Sequence, residues 1–333
     1  MMSSSDTTPT REEFLHDDEN DDDDIQHTAA STNNDDDDDD DGREIDNEDS
    51  TETEYARETE SRSNMYDTMN PEVFIHWGSD NATIDEGQFR VWYQNPNGIK
   101  LTDNDHSMKH MHQYLYEQKV DIACFAETNL EWNHNWVRKK LETAGRRRWK
   151  SFQATTSTSA RVFPKSYKPG GTMIFSAGSI RTRIVQEGSD PYNMGRWTFQ
   201  TFKGKGNIKV TFITAYRVPR QSIATAGPST SFFQQFHDIR SGGDDNPNPR
   251  KRILQDLRSF IETLRREPEH EVFISLDANE GLGNRSQIQE FLEETGLLSV
   301  HEIYFDDDYY NTNPIPATYS RGTAKISFMA GSP

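Results

Sequence analysis

Apolar residues in the C-terminal three quarters of the chain recur with two different periods. Short apolar runs that end in turn-forming residues predict strands, and apolar positions three and four residues apart predict helices. Helices are predicted over residues 106–118 and 250–266 and through residues 288–292, with Gly296 as a stop signal. Strands are predicted over residues 89–94, 120–125, 170–175, 208–213 and 271–276. This alternation predicts the α/β (α+β) class, with helices outside a mixed sheet system.

Between these elements, residues 221–250 are rich in Gly, Pro, Ser and Asn. Such a composition is typical of connecting segments, so a long mobile loop is predicted there.

The acidic charge of the chain is concentrated in its first 70 residues. They hold 26 Asp and Glu against 4 Lys and Arg, whereas the remaining 263 residues hold 30 against 32. Aspartate runs at residues 21–24 and 35–41 repel themselves and offer no apolar surface to bury. We therefore expect a disordered acidic tail (1–70), a linker (71–87) and one domain (88–333). The alternative for the tail is an acidic arm that contacts basic partners such as histones.

Cysteine content and hydropathy narrow the class of protein further. The single cysteine, Cys124, excludes an intramolecular disulfide framework, and its apolar surroundings predict a small core residue. No window approaches the length of a membrane span, and the N-terminus lacks the basic and apolar regions of a secretion signal. These features predict an intracellular protein, with the nucleus as a candidate compartment, and no membrane partner. They leave the oligomeric state open.

Four of the predicted strands end in polar or ionisable side chains: Asn95 and Asn97, Glu127, Tyr216, and Asp277 with Asn279. Side chains at i and i+2 of an extended segment share a face, so Asp277 and Asn279 project together. Each residue alone has a structural explanation, as a turn former, a cap or a packed ring. Active sites gather where a rigid scaffold holds loop residues, so the recurrence at four strand ends predicts one shared site.

In order and spacing, these segments resemble the endonuclease/exonuclease/phosphatase superfamily: residues 94–98 (QNPNG), 126–128 (AET), 214–217 (TAYR) and 276–279 (LDAN). That group includes apurinic endonucleases, pancreatic deoxyribonuclease, inositol-phosphate phosphatases and the endonuclease domains of non-LTR retrotransposons. The resemblance covers residues 88–333, and residues 195–197 (GRW) are most similar to the retroelement-associated members. It implies a four-layer α/β sandwich with two packed sheets. It also implies metal-dependent phosphodiester hydrolysis, with DNA as the substrate and RNA as the alternative.

The resemblance also implies a role for each residue at the strand ends. Glu127 is the expected principal ligand of Mg²⁺, or of Mn²⁺, with support from the amide oxygen of Asn97, because Mg²⁺ takes oxygen ligands and few carboxylates. Asp277 is the expected general base for the attacking water. The groups expected to contact the scissile phosphate are Asn279, Asn95 and the Tyr216 hydroxyl. Arg217 is expected either to add positive charge for the substrate or to lie at the surface.

Two departures from the family pattern bear on activity. Ser327 stands where family members usually carry the aspartate of an Ile-Asp pair, and no Ser-Asp-His element follows before Pro333. A missing His–carboxylate pair removes a group worth about 10²-fold or more in rate. The chain is therefore expected to be incomplete at its C-terminus. The alternatives to a DNA endonuclease are a phosphatase on a small phosphorylated molecule and a degenerate relative that binds nucleic acid or protein.

The remaining candidates have structural explanations at least as good as functional ones. Residues 146–150 (RRRWK) form either a contact to a nucleic-acid backbone or a solvated helix end, and Trp132 and Trp136 either stack on bases or pack in the core. His106, His110 and His112 are taken as surface or interface residues. Gly170 and Gly171 lack the lysine of a phosphate-binding loop and predict a turn into a strand. Residues 306–308 (DDD) are taken as an exposed loop.

Overall fold

The computed structural model describes residues 87–101, 106–161, 167–281, 286–300 and 326–333. The predicted acidic tail, the linker except for its last residue, and residues 306–308 lie outside the described residues.

The strands form two mixed sheets. The first contains β1 (Val91–Gln94), β2 (Ile122–Ala126), β3 (Phe152–Ser157) and β4 (Thr172–Ala177) in the order β1-β2-β4-β3, with β1 and β2 parallel. The second contains β5 (Ile184–Ser189), β6 (Trp197–Lys203), β7 (Lys209–Tyr216), β8 (His270–Asp277), β9 (Leu298–Ser299) and β10 (Ser327–Gly331). Its order is β5-β6-β7-β8-β10-β9, and β7 and β8 are parallel. All other neighbours are antiparallel.

The helices are α1 (His106–Glu117), α2 (Asn135–Arg146), α3 (Ser231–Ser241), α4 (Pro249–Leu264) and α5 (Gln287–Thr295), with a 3₁₀ turn at Ile180–Arg183. Sequence signals explain their ends. The Asn248 side chain accepts a hydrogen bond from the Lys251 N–H and caps α4, and Pro249 occupies the first turn, where a missing N–H is harmless. Gly296, with a φ of 59°, ends α5 in the left-handed conformation, as predicted.

Three apolar clusters divide the described residues into four layers. Side chains from both sheets meet in the middle, including Ile122, Cys124 and Phe212. The outer face of the first sheet packs against α1 and α2, and that of the second packs against α4 and α5. The α/β class and the four-layer sandwich are therefore confirmed, and Cys124 is a buried core residue as predicted.

Two predictions about surface segments are wrong. The predicted loop over 221–250 contains α3, whose Phe232 and Ile239 are buried; its apolar spacing was hidden because the helix is short and its flanks are rich in Gly and Pro. His112 was predicted at the surface but is 1% exposed, packed among Trp149, Phe152 and Phe175. Its burial lowers its pKa to about 4, so the ring is neutral at physiological pH.

The structure also gives the positions of the tryptophans, glycines and remaining histidines named in the sequence analysis. Trp132 is buried, whereas Trp136 is 46% exposed. Gly170 and Gly171 have φ of 81° and 79° and form the predicted turn into β4. His110 is exposed, and the side chain of His106 lies outside the described residues. Within the described residues, no helix combines the length and the apolar content needed to cross a bilayer.

Candidate active site

The two parallel strand pairs bring the polar strand ends to the same edge of the molecule. β1 and β2 run side by side toward Asn95 and Glu127, and Tyr216 pairs directly with Asp277 at the ends of β7 and β8. The Asn95 side chain joins the two sheets. Its Nδ2 donates to Glu127 Oε2 at 2.8 Å and to Asp277 Oδ2 at 2.6 Å. One amide therefore holds together two carboxylates from different sheets.

The backbone around this contact takes unusual conformations. Asn97, Glu127, Asn129 and Asn279 have φ between 47° and 53°, in the left-handed region that non-glycine residues seldom adopt. Hydrogen bonds hold the turn after β1 against the segment after β2, because the Gly98 N–H donates to the Glu127 carbonyl at 2.9 Å. Clustered backbone strain of this kind is a feature of functional sites.

Asp277 is 1% exposed, and its surroundings disfavour the charged form. Burial, and then repulsion from Glu127, raises the pKa of Asp277 to about 7, against the opposing hydrogen bonds from Asn95, the Asn279 N–H and Ser327. Burial likewise raises the pKa of Glu127, although the side chains of Asn95, Asn129 and Tyr216 donate to it. The site is thus a pair of mutually repelling carboxyl groups, one buried at Asp277 and one half-buried at Glu127.

Tyr216 contributes its hydroxyl to this pair while its ring packs in the core. Its hydroxyl hydrogen-bonds to Glu127, and its ring lies in an apolar cluster with Ala126, Val218 and Phe232. Burial, followed by the charges of the two carboxylates, raises the pKa of Tyr216 well above its usual value. The hydroxyl therefore stays protonated and acts as a donor at physiological pH.

The three predicted asparagines occupy different positions. The Asn95 Nδ2 is directed at the carboxylates, and the Asn279 Nδ2 donates to the Arg217 carbonyl at 2.7 Å. Asn97 is exposed at the turn, and its backbone N–H donates to Asn95 Oδ1 at 2.7 Å. The expected contacts of Asn95 and Asn279 with phosphate, and of Asn97 with a metal ion, stay predictions.

Arg217 is not part of this group, and the surface role considered for it is wrong. Its side chain is fully buried: the guanidinium forms an ion pair with Glu280 and donates to Gln287 and to the Arg250 carbonyl at 2.9 Å. Successive residues of an extended chain point to opposite faces, so a side chain following Tyr216 is directed away from the site. Arg217 instead fixes the loop that follows Asp277.

Three residues join the site beyond those predicted to act in it, and one of them, Ser327, stands at the position of the family's aspartate. The Ser327 Oγ donates to Asp277 Oδ1 at 3.3 Å from the paired strand β10, in a register that opposes the two residues. Asn129 donates to Glu127, and its Oδ1 accepts from the Gly170 N–H at 2.7 Å. Tyr93 is partly buried nearby, and desolvation of its hydroxyl followed by the charge of Asp277 raises its pKa. Asn129 could have been predicted from the sequence, because it follows Glu127 by two residues, the same spacing that joins Asn279 to Asp277.

The donor set at this site suits a hard divalent cation. Glu127 and Asp277 supply carboxylate oxygens, and loss of solvent raises the pKa of both, so their charged forms are poorly solvated in the metal-free site. Mg²⁺ is often bound by one or two carboxylates, with water and substrate oxygens completing its shell. Within the described part of the chain, no group of three or more His, Cys, Asp or Glu side chains could hold a metal ion. The site therefore fits a cation that keeps most of its water, not one held in an all-protein cage.

Comparison with known proteins gives similarities of fold. No family model matches the chain, and no curated protein matches it. The catalytic domain of human Nocturnin is 12% identical, with 73% of this chain and 82% of that chain covered and a TM-score of 0.46. An endonuclease/exonuclease/phosphatase family protein from Leptotrichia buccalis is 10% identical, with 74% and 88% covered and a TM-score of 0.46. A mannosyl-6-phosphatase from Bacteroides thetaiotaomicron is 13% identical, with 74% and 86% covered and a TM-score of 0.46.

These similarities concern the fold, and the chemistry of the site has to be argued from its own residues.

Proposed function

We propose that this protein is a divalent-metal-dependent phosphodiester hydrolase that cleaves DNA, of the type found as endonuclease domains in retroelements. The observation that supports it best is the Asn95 amide, which holds the Glu127 and Asp277 carboxylates together at the end of the two sheets. The ordered motifs at four strand ends support the same proposal.

In the proposed reaction, Asp277 is the general base. A general base must lie within hydrogen-bond reach of the attacking water, and in the metal-free protein burial beside Glu127 raises the pKa of Asp277 to about 7. Asp277 orients the attacking water and accepts its proton at a carboxylate oxygen. Asn95 donates to Oδ2 of that carboxylate and Ser327 donates to Oδ1, so the two residues position it together. The water oxygen then forms the new bond to phosphorus while the bond to the leaving oxygen breaks.

Glu127 is the proposed principal ligand of Mg²⁺ or Mn²⁺, with Asn97 as a second oxygen donor. Such an ion, when bound, neutralises phosphate charge and stabilises the developing oxyanions. The Tyr216 hydroxyl, protonated and directed at Glu127, fixes the orientation of that carboxylate. Toward the phosphate, the proposed role of Asn279 is donation of an amide hydrogen bond, and that of Tyr216 is donation of its single O–H once the phosphate replaces Glu127 as its acceptor.

Plasmid nicking with Mg²⁺ or Mn²⁺ tests this proposal. Wild-type protein is expected to convert supercoiled plasmid to the nicked form, and chelation is expected to stop the reaction. Asp277→Ala and Glu127→Ala should each lower the rate by about 10²-fold or more. Asp245→Asn removes an exposed carboxylate outside the site and should leave the rate unchanged. Nicking that survives both site substitutions would overturn the assignment.

A second candidate function has one observation in its favour. Ser327 lies opposite Asp277, at the position where members of the superfamily that this chain resembles usually carry an aspartate. The described site therefore has one carboxylate fewer than the usual site of that superfamily. A relative that binds nucleic acid without cleaving it would have such a reduced site. Oligonucleotide binding without nicking, and without hydrolysis of small phosphate monoesters or diesters, would favour this candidate. Monoester hydrolysis alone would instead indicate a small-molecule phosphatase.

A further inference from the structure

Helix α2 and the turn that follows it carry an unusual excess of positive charge. Residues 135–150 contain seven basic side chains and one acidic side chain, Glu142. The exposed members form what we call the α2 basic face: Arg138, Lys139, Arg146, Arg147, Arg148 and Lys150. On the opposite side of the helix, Val137, Leu141 and Ala144 are buried against the first sheet. The cations are therefore held toward solvent by the packing of the helix.

The helices that cover the second sheet show no such excess. Residues 249–264 and 287–295 together contain four basic and five acidic side chains. Arg258 there pairs with Glu262 at 2.9 Å and with Glu294 at 2.8 Å. On the α2 basic face, Glu142 pairs with Arg146 at 3.4 Å, with both groups well exposed, so this pair is weak. Within residues 135–150, the single acidic side chain leaves six more basic than acidic side chains (7 − 1).

The α2 basic face follows the candidate active site closely along the chain. Helix α2 starts at Asn135, eight residues after Glu127, and the intervening segment is firmly held. The Trp132 Nε1 donates to Thr128 Oγ1 at 2.9 Å, and a buried ion pair joins Lys168 to Glu131 at 3.0 Å. From that start, a helix of 12 residues extends about 18 Å, roughly five nucleotide steps of a B-form strand.

An exposed aromatic group lies at the end of α2 nearest the site. The Trp136 ring is 46% exposed, and its centroid lies 6.4 Å from that of His134. The Lys140 ammonium lies 5.5 Å from the Trp136 centroid. An aromatic ring beside cations is the combination that binds single-stranded nucleic acid, through base contacts and phosphate attraction together.

We propose that the α2 basic face binds a nucleic-acid strand that extends from the active site along the helix, with Trp136 in contact with an unpaired base. This proposal rests on the proposed phosphodiesterase function and assigns a binding surface for its DNA substrate. A small phosphorylated molecule held at Asp277 would not reach cations spread over about 18 Å of helix. A polyanionic strand would contact several of them at once.

The test is binding of a fluorescently labelled single-stranded DNA oligonucleotide, followed by anisotropy in EDTA at several salt concentrations. In the full chain, the triple variant Lys139→Ala/Arg146→Ala/Arg147→Ala should bind at least about tenfold more weakly at low salt. The slope of log affinity against log salt should become shallower by about 2, since each lost contact to a single strand removes about 0.7. Trp136→Ala should weaken binding without changing that slope.

A matched control removes the same charge from another surface. Arg183, Lys203 and Lys205 are exposed near the β6–β7 turn, at the opposite end of β7 from Tyr216. The triple variant Arg183→Ala/Lys203→Ala/Lys205→Ala should bind the oligonucleotide almost as tightly as wild type. Equal loss of affinity in the two triple variants would overturn the proposal. Equal affinity of the α2 basic face for polyglutamate and DNA would also overturn it, in favour of an acidic protein partner.

Hydrolysis of bis(p-nitrophenyl) phosphate separates this proposal from the function on which it rests. That small diester does not need the α2 basic face, so the α2 triple variant should hydrolyse it at the wild-type rate. Asp277-dependent hydrolysis with unchanged oligonucleotide binding in the α2 variant would leave the function standing and overturn the binding surface. Lost binding in that variant, with no hydrolysis by any protein, would support the surface and contradict the function.

Discussion

Replacing Asp277 by Asn should stabilise the metal-free protein while it abolishes catalysis. Asp277 is buried beside Glu127, and its pKa rises from the ordinary 3.8 to about 7. Between about pH 4 and pH 7, Asp277 therefore keeps its proton in the native state but loses it in the unfolded chain. At 1.36 kcal/mol per pKa unit, this rise corresponds to about 4 kcal/mol of unfavourable free energy once the group is charged.

The pH dependence follows from the direction of this shift. Between about pH 4 and pH 7 the native state binds more protons at Asp277 than the unfolded state does, so the free energy of unfolding falls as the pH rises. Asn cannot ionise and removes this dependence. The stability advantage of Asp277→Asn should therefore grow across this window and reach about 2 to 4 kcal/mol at pH 8. The advantage should be smallest near pH 4.

Urea unfolding in EDTA at pH 4, 6 and 8 measures this difference directly. Chelation is needed because a cation that binds the carboxylates would stabilise the charged wild-type site. Asp245→Asn, at an exposed position, should change the free energy of unfolding by less than about 0.5 kcal/mol at every pH. A difference between Asp277→Asn and wild type that stays constant from pH 4 to pH 8 would refute the assignment of a raised pKa to Asp277.

Three further predictions concern the site and its supports. Glu127→Gln removes the repulsion from a neighbouring carboxylate, so the pKa of Asp277 should fall below 7, as measured by carboxyl NMR titration. Arg196→Met leaves the buried Asp190 carboxylate without its cation, whereas Asp256 keeps its ion pair with Arg252; the change should lower the free energy of unfolding by about 3 to 5 kcal/mol in urea titration. Gly195→Ala should destabilise more than Gly178→Ala by at least about 1 kcal/mol, because only Gly195 lacks room for a methyl group.

Each of these predictions has a defined contrary result. An unchanged or higher pKa of Asp277 in Glu127→Gln would contradict their mutual repulsion. A loss below about 1 kcal/mol in Arg196→Met would mean that this ion pair does not stabilise the fold. Gly195 and Gly178 have φ of 71° and 70°, so replacement by Ala causes similar backbone strain at both positions. Equal losses of stability in the two variants would mean that a methyl group at position 195 does not clash with the backbone of residues 158 and 159.

Much of the site could be predicted because its residues follow strands with clear apolar patterns. The ends of β7 and β8 were predicted within a few residues, and with them the positions of Tyr216 and Asp277. The segment 221–250 shows the limit of this reasoning. Helix α3 is only 11 residues long, so its few apolar positions do not by themselves indicate a helix. They make sense once the structure shows that Phe232 is buried. Short helices depend on tertiary packing for most of their stability.

The sequence by itself determined the class of fold and which polar residues end the strands, because hydrophobic period and turn chemistry are local properties of the chain. Only the tertiary structure decided how those residues meet. A single amide holds carboxylates 150 positions apart in the sequence, and Arg217, the neighbour of Tyr216, is directed away from them. It also decided that His112 is buried and that the pKa of Asp277 is near 7. Burial and mutual repulsion depend on which surfaces pack together, and residue types alone do not specify that packing.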